Sequence, residues 1–343
     1  MRAEAVEVLP PADHDAEWLA VGLGHHSAHD RNPLWWTSTD GASWKPGTID
    51  STTADGPNSG FVGIARAGAE VAALGQAYSG VHGNSRPLVW QRESDGALHE
   101  VPITRELFGG PRAMSVTGLT GDESGFVASG GYIVGGTWTG GASSVAASVW
   151  TSATGATWAR HPDDPQLTSG TSEVVLTRAI ASGDGVVVVV GTTTPTGSGP
   201  TQPAAWRSEG DDTWTRVTAI DADPALDSEL ANVAHAPSVG FVAAGTEDGR
   251  AVVFVSSDGT EWRRRGLDSE AGADVLDAAA LDGGVAVTWR DAKGMHTTVV
   301  SANGLETIAA PPAGDVVHLA QSGEETIALV SAHGTIHSYR RKP

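Results

Sequence analysis

Near its N-terminus the chain sets His25, His26, His29, Asp30 and Arg31 within seven residues. A second polar group follows at Tyr78, His82, Asn84 and Arg86, and a third segment carries Tyr132 and Trp138 among glycine, serine and threonine. Imidazole and carboxylate together can hold a divalent ion. The spacing here matches no standard ligand set, so no metal is expected. Histidine and arginine also donate hydrogen bonds to a ligand, and an aromatic ring on a polar loop can stack on a sugar or a peptide side chain. The bland alternatives are solvated histidines and a tryptophan folded over the protein's own surface.

Other chemistry is weaker. Glu173, Glu229, Asp274 and Asp315 could face one another as the carboxyl pair of a glycosidase. Asp221, Asp223 and Asp227 resemble half a calcium loop but lack its glycine and closing glutamate. Arg263-Arg264-Arg265 and Arg340-Arg341-Lys342 read as charge on outer strands, which discourages unwanted pairing. There is no nucleophile elbow, phosphate-binding glycine loop or dinucleotide fingerprint. No cofactor is implied.

The elements that would position these residues are read from a repeat. Trp36 and Trp44 are eight residues apart, and the same interval joins Trp150 to Trp158 and Trp206 to Trp214. Phe254 and Trp262 keep it with one aromatic exchanged, Val299 and Thr307 with both lost, and Trp90 begins a copy without its second ring. Between the paired positions lie turns such as Asp40-Gly41, Asp258-Gly259 and Asn303-Gly304, which are strong hairpin signals. Upstream of each hairpin stands a short apolar strand, often ending at glycine, as in Val186 to Val190 before Gly191. One more strand precedes it. Four strands in each unit of about 40 to 60 residues make a propeller blade. A lone four-stranded sheet cannot bury both faces, whereas stacked blades cover one another at about 10 Å.

The expected fold is therefore all-β: one propeller spanning 1–343, of about seven four-stranded blades, with six or eight as alternatives. The approximate blades are 1–51, 58–105, 112–163, 172–221, 228–268, 273–310 and 313–343. Glu4 to Leu9 reads as the first strand of the first blade, with closure of the last blade as the alternative. Loops joining the second and third strands are expected to be long in blades one to four: Gly24 to Pro33, Ala77 to Pro87, Tyr132 to Ser144 and Thr192 to Pro203. Binding residues concentrate on such loops.

The hairpin turn resembles the Asp-box, or BNR, repeat of sialidase-type propellers. Thr151, Gly155, Thr157 and Trp158 fit its frame, as do Thr37, Gly41, Ser43 and Trp44. The acid is displaced by one place, to Asp40 and Asp258. The resemblance implies the propeller fold and, because such proteins are often secreted or envelope-attached, an extracytoplasmic location; the alternative is the cytoplasm. It carries over no catalytic residue, since Arg31-Asn32-Pro33 follows Asp30 instead of an aromatic. None of Tyr78, Tyr132 and Tyr339 has a glutamate beside it.

Bulk properties narrow the partners. The net charge is −20, from 21 Lys and Arg against 41 Asp and Glu, and it repels nucleic acid and anionic membranes. Apolar residues make up 40 % of the chain, enough for a core, yet no run approaches the roughly 18 that would span a bilayer. The chain has no cysteine, which removes disulfides and thiolate chemistry together. Met1-Arg2-Ala3-Glu4 shows no apolar leader core. The reading is a non-enzymatic binding or scaffold module, monomeric, holding a protein or glycan on the long-loop face. A sialidase-like glycoside hydrolase and an assembly factor for a protein complex are the alternatives.

Overall fold

The computed structural model describes residues 2–341 except 13–16, 28–29, 80–83, 105, 109, 135–143, 162–163, 165, 168–171 and 211–212. Its strands form seven sheets, the blades of a β-propeller. Blade 1 is β1 (Arg2–Leu9), β2 (Trp18–Ser27), β3 (Asp30–Ser38) and β4 (Lys45–Pro46). Blade 2 contains β5 (Ile49–Asp50), β6 (Ser59–Ala67), β7 (Glu70–Ser79), β8 (Asn84–Arg92) and β9 (Leu98–Glu100). Blade 3 is β10 (Ala113–Asp122), β11 (Gly125–Val134), β12 (Ser144–Ser152) and β13 (Ala159–Arg160). Blade 4 is β14 (Glu173–Gly183), β15 (Val186–Pro195), β16 (Gln202–Ser208) and β17 (Thr215–Arg216).

Blade 5 contains β18 (Ala219–Ile220), β19 (Ser228–Ala236), β20 (Gly240–Glu247), β21 (Arg250–Ser256) and β22 (Glu261–Gly266). Blade 6 is β23 (Asp274–Leu281), β24 (Gly284–Asp291), β25 (Gly294–Ser301) and β26 (Gly304–Ile308). Blade 7 is β27 (Val316–Ser322), β28 (Glu325–Ala332) and β29 (Thr335–Arg341). Two segments expected to end blades 1 and 4 pair elsewhere. β5 lies parallel to β9, and β18 parallel to β22, each on the outer side of the following blade.

The chain divides into two compact units, residues 1–128, 150–160 and 311–343, and residues 129–149 and 161–310. In the first unit the faces of blades 1 and 2 bury Leu19, Val21, Trp35, Phe61, Ile64 and Trp90. A second cluster joins Leu74, Phe108, Phe126, Trp150 and Trp158. In the other unit, Val188, Val190, Phe241, Phe254 and Trp262 pack together, and Val253, Val285, Val287 and Trp289 form the next layer. The repeated aromatics thus fill the space between sheets. Two of them also tie down the chain that leads into their blade: the indole N–H of Trp150 donates to the Leu107 carbonyl at 2.8 Å, and that of Trp206 to Gln166 at 2.9 Å.

The glycine that ends many second strands has a steric cause. The first strand of blades 1, 2, 4, 5 and 6 bulges just after Ala5, Phe61, Thr177, Leu230 and Val275. The residues opposite are Gly22, Gly75, Gly191, Gly245 and, in blade 6, Trp289. A Cβ at Gly191 would lie 1.9 Å from the Leu176 carbonyl oxygen, and one at Gly245 1.8 Å from that of Glu229. The bulged strand bends its carbonyl into the space a side chain would occupy.

The turns between third and fourth strands are self-contained. Asp40 Oδ1 accepts the Ala42 and Ser43 amides at 2.9 and 2.7 Å and the Ser38 hydroxyl at 3.0 Å. These bonds, the Ser43 amide first, hold the Asp40 carboxyl down to about 2. The indoles of Trp44, Trp158 and Trp262 donate back to the carbonyls of Gly41, Gly155 and Gly259 at 3.1, 2.7 and 3.1 Å. The tryptophan therefore staples its own turn as well as filling the core.

β1 is the first strand of blade 1 and pairs only with β2. Blade 7 meets blade 1 through the Ala3 amide on the Gly334 carbonyl (2.9 Å), the Ala5 amide on Ser331 Oγ (2.8 Å) and the Ser338 hydroxyl on the Gly41 carbonyl (2.5 Å). Ala5, Trp18, Ala20, Ile327 and Leu329 are buried at this seam.

Candidate binding site

In the first two of the segments expected as long loops, the described residues are strand. β2 and β3 continue past the core to Ser27 and Asp30, pairing His25 with Arg31 and Gly24 with Asn32. β7 and β8 do the same, pairing Tyr78 with Ser85 and Ala77 with Arg86. Polar side chains at a sheet's solvated end do not stop the backbone ladder, so these residues stand on ribbons. β11 runs to Val134 and β12 begins at Ser144; β15 runs to Pro195 and β16 begins at Gln202.

Ribbons are better supports for a site than loops, because each backbone is held by its partner strand. The ribbons of blades 1 and 2 meet. The Arg31 guanidinium lies 5.2 Å from the Tyr78 ring centroid, a cation–π contact, and Tyr78 stays 52 % exposed. His25 Nε2 stands 3.7 Å from Glu4 Oε2 on the neighbouring strand. Arg86 Nη1 donates to Asp55 Oδ2 at 3.0 Å, fixing the end of the 3-10 turn Gly56–Asn58 beneath.

Three buried polar atoms here lack a hydrogen-bond partner among the described residues: Asn32 Oδ1, Ser85 Oγ and Arg86 Nε. Strand alternation puts Ser85 on the same face of its ribbon as Tyr78, its cross-strand partner, and turns Asn32 and Arg86 to the faces opposite Arg31 and Ser85. Beside the exposed Tyr78 ring, Ser85 therefore offers a hydroxyl that can donate and accept. An unsatisfied buried polar atom costs about 1–3 kcal/mol, so the Ser85 hydroxyl favours an occupant.

Of the residues singled out in the sequence, His25, Arg31, Tyr78 and Arg86 are brought to this corner. His26, Asp30 and Asn84 lie on β2, β3 and β8, and their side chains are outside the described set. His29, His82 and Trp138 lie outside the described residues. Tyr132 is on β11 and half-buried. Asn32, Ser85, Asp55 and Glu4 were not singled out; nothing in their local sequence marks them, because each matters through a cross-strand or cross-blade neighbour.

Several of the other candidates serve the scaffold. Glu173 receives both terminal nitrogens of Arg216 and the Thr193 hydroxyl at 2.6 Å, and Asp274 pairs with Arg290 at 3.1 Å. Two of the four carboxylates considered for glycoside hydrolysis are thus held by arginines of their own blades. Asp223 and Asp227 accept the amides of Ala225 and Thr201, at 2.9 and 2.7 Å. Arg264 holds the buried carboxylate of Glu247. Among the described residues, no group of three or more His, Asp or Glu side chains is placed to hold a metal, and no helix is long and apolar enough to cross a membrane.

No protein-family model matches the chain, and no curated protein matches it. Solved structures do. A protein of unknown function from Dyadobacter fermentans is 14 % identical, with a TM-score of 0.54 over 100 % of this chain and 96 % of that one. The β-propeller domain of the trilobed protease from Pyrococcus furiosus, described as having an open velcro topology, is 9 % identical, with a TM-score of 0.54 over 100 % and 98 %. A chain of the COPII outer coat vertex on membranes is 11 % identical, with a TM-score of 0.58 over 99 % and 85 %. At these identities the likeness is one of architecture: the chain shares with them the β-propeller fold.

Proposed function

We propose that the protein is a non-enzymatic binding module that holds a glycan on the ribbon ends of blades 1 and 2. The observation that supports this is the orphaned buried hydroxyl of Ser85 beside the exposed ring of its cross-strand partner Tyr78. A sugar presents apolar C–H faces and hydroxyls that both donate and accept. Tyr78, steadied by Arg31, takes a face, and the Ser85 hydroxyl pairs with a sugar hydroxyl. His25, paired across the ribbon with Arg31, borders the site. The turns' resemblance to Asp-box repeats, with Asp40 and Asp258 one place from the usual acid, favours a sialidase-type ancestry and an extracytoplasmic location.

The test is a glycan array followed by calorimetry on the best binder. Tyr78→Ala and Arg31→Ala are expected to weaken binding at least about tenfold, that is by about 1.4 kcal/mol, at unchanged melting temperature. Ser85→Ala separates a site from a scaffold. It removes an atom without a protein partner, so it is expected to weaken binding while leaving stability equal or higher. Array binding untouched by these three changes, or capture of a peptide in place of any glycan, would sink the reading.

A further inference from the structure

Blade 1 passes into blade 2 through β5, a two-residue strand laid parallel along the outer side of β9. We propose that His99 is a proton-controlled clasp for this strand: its protonated ring holds β5 against blade 2, and loss of the proton lets β5 loosen.

The geometry lies on the two sides of one ring. β5 and β9 pair Ile49 with Leu98 and Asp50 with His99, and the Leu98 amide donates to the Thr48 carbonyl at 3.0 Å. In this register His99 Nδ1 stands 3.3 Å from Asp50 Oδ2 on β5. On the other side His99 Nε2 stands 3.0 Å from Asp95 Oδ2, in the turn between β8 and β9. A neutral imidazole has one N–H and one lone pair, so it can serve only one of the two carboxylates. Its second nitrogen then faces the other carboxylate lone pair to lone pair. The imidazolium presents an N–H to each. Only the protonated ring therefore suits both neighbours at once.

The surrounding charges favour that form. Glu93, in the same turn, adds a third carboxylate, and Gln91, opposite His99 on β8, is uncharged. Arg92, the next residue of β8, pairs with Leu98 instead and is held by Glu17 at 2.7 Å. The hydrogen bond to Asp95 first, and then the charges of Asp95, Glu93 and Asp50, push the His99 ring above its ordinary 6.5. A raised folded value contributes stability that is complete below about 6.5 and is lost as the pH rises through the raised value. The clasp is thus closed on the acid side and open on the alkaline side.

Release stays local. Ile49 packs against the core between blades 1 and 2, and Glu100 Oε2 accepts the Thr52 and Thr53 amides at 2.7 and 3.0 Å. Those contacts involve no histidine, so residues 48–50 fray while the chain beyond them stays anchored.

The experiment is amide hydrogen exchange of the whole chain, read residue by residue from about pH 5.5 to about pH 8.5 beside the NMR titration of the His99 ring, with each rate divided by its intrinsic value at that pH. Protection of the Leu98 amide is expected to fall at least about threefold through the His99 titration, while Thr52 and Thr53 keep theirs. His99→Gln should make the Leu98 profile flat. Asp50→Asn, which leaves the Asp95 bond in place, should lower the pH at which His99 titrates and shrink the fall at Leu98. A flat Leu98 profile in the wild type, the same fall in His99→Gln, or a His99 titration unmoved by Asp50→Asn would each overturn the proposal. So would a fall at Thr52 and Thr53 in step with Leu98, because the whole segment would then be opening.

Discussion

Blades 5 and 7 begin alike, with a first strand, an apolar second strand and a third strand that returns beside it, and then they part. In blade 5 the turn after β21 sends β22 back along the sheet. That strand carries Trp262 into the core and Arg264 onto the buried carboxylate of Glu247, and β18 then covers its outer side. In blade 7, among the described residues, no strand pairs with the outer side of β29, whose ring, Tyr339, remains 39 % exposed. The two differ on the inner side as well. β19 bulges opposite Gly245, whereas β27 pairs with β28 without a shift, and Ser331 stands where the glycine would be. Its hydroxyl receives the Ala5 amide of blade 1. The fourth strand is thus what turns a blade's outer margin into core, and in blade 5 the glycine makes room for the bulge.

This contrast can be broken by substitution. Trp262→Ala is expected to destabilise the protein by about 3–5 kcal/mol, as loss of a fully buried tryptophan does, while Tyr339→Ala should change stability by no more than about 0.5 kcal/mol. Similar shifts of the urea midpoint for the two would mean that the outer margins are equivalent after all. On the inner side, Gly245→Ala drives a Cβ into the Glu229 carbonyl and should cost about 1–3 kcal/mol through overpacking. Ser331→Ala leaves the buried Ala5 amide without its acceptor and should cost about 1 kcal/mol, with faster exchange of that amide.

The smallest effect separates the turns. Asp258 in blade 5 is held below the usual carboxylate range, first by the Thr260 hydroxyl and then by the Thr260 amide, and Asp40 in blade 1 is held at about 2. A depressed folded value contributes stability that is complete above the unfolded value near 4 and is lost as the pH falls towards 2. The turn of blade 7, His333-Gly334, has no carboxylate to titrate. Asp40→Asn together with Asp258→Asn should flatten the acid limb between about pH 4 and 2 in a stability–pH curve. An unchanged limb would place the acid sensitivity elsewhere.

Much of this architecture is legible in the sequence because its signals repeat. The tryptophan interval, the Asp-Gly turns and the apolar second strands recur often enough to count seven units, and Glu4 to Leu9 carries the apolar pattern of a first strand. Three things escape such reading. β5 and β18 are two residues long, too short to show any periodicity, and their parallel pairing depends on where the next blade's outer strand lies. The ribbons at Gly24 to Pro33 and Ala77 to Pro87 look like loops because their side chains are polar, but the ladder that holds them is backbone. The corner of Arg31, Tyr78 and Ser85 exists only because two ribbons from different blades meet, and no single segment records that meeting.

The seam between the chain's two ends has a consequence for assembly during synthesis. Blade 1 takes all of its strands from residues 2–46, and each later blade likewise takes its strands from one continuous stretch. No strand is lent from the first blade to the last. Blade 1 can therefore form its full sheet while the rest of the chain is still being translated, and each new blade adds to a finished neighbour. Had β1 been reserved for blade 7, an unpaired and aggregation-prone strand would have waited through the synthesis of the five blades between.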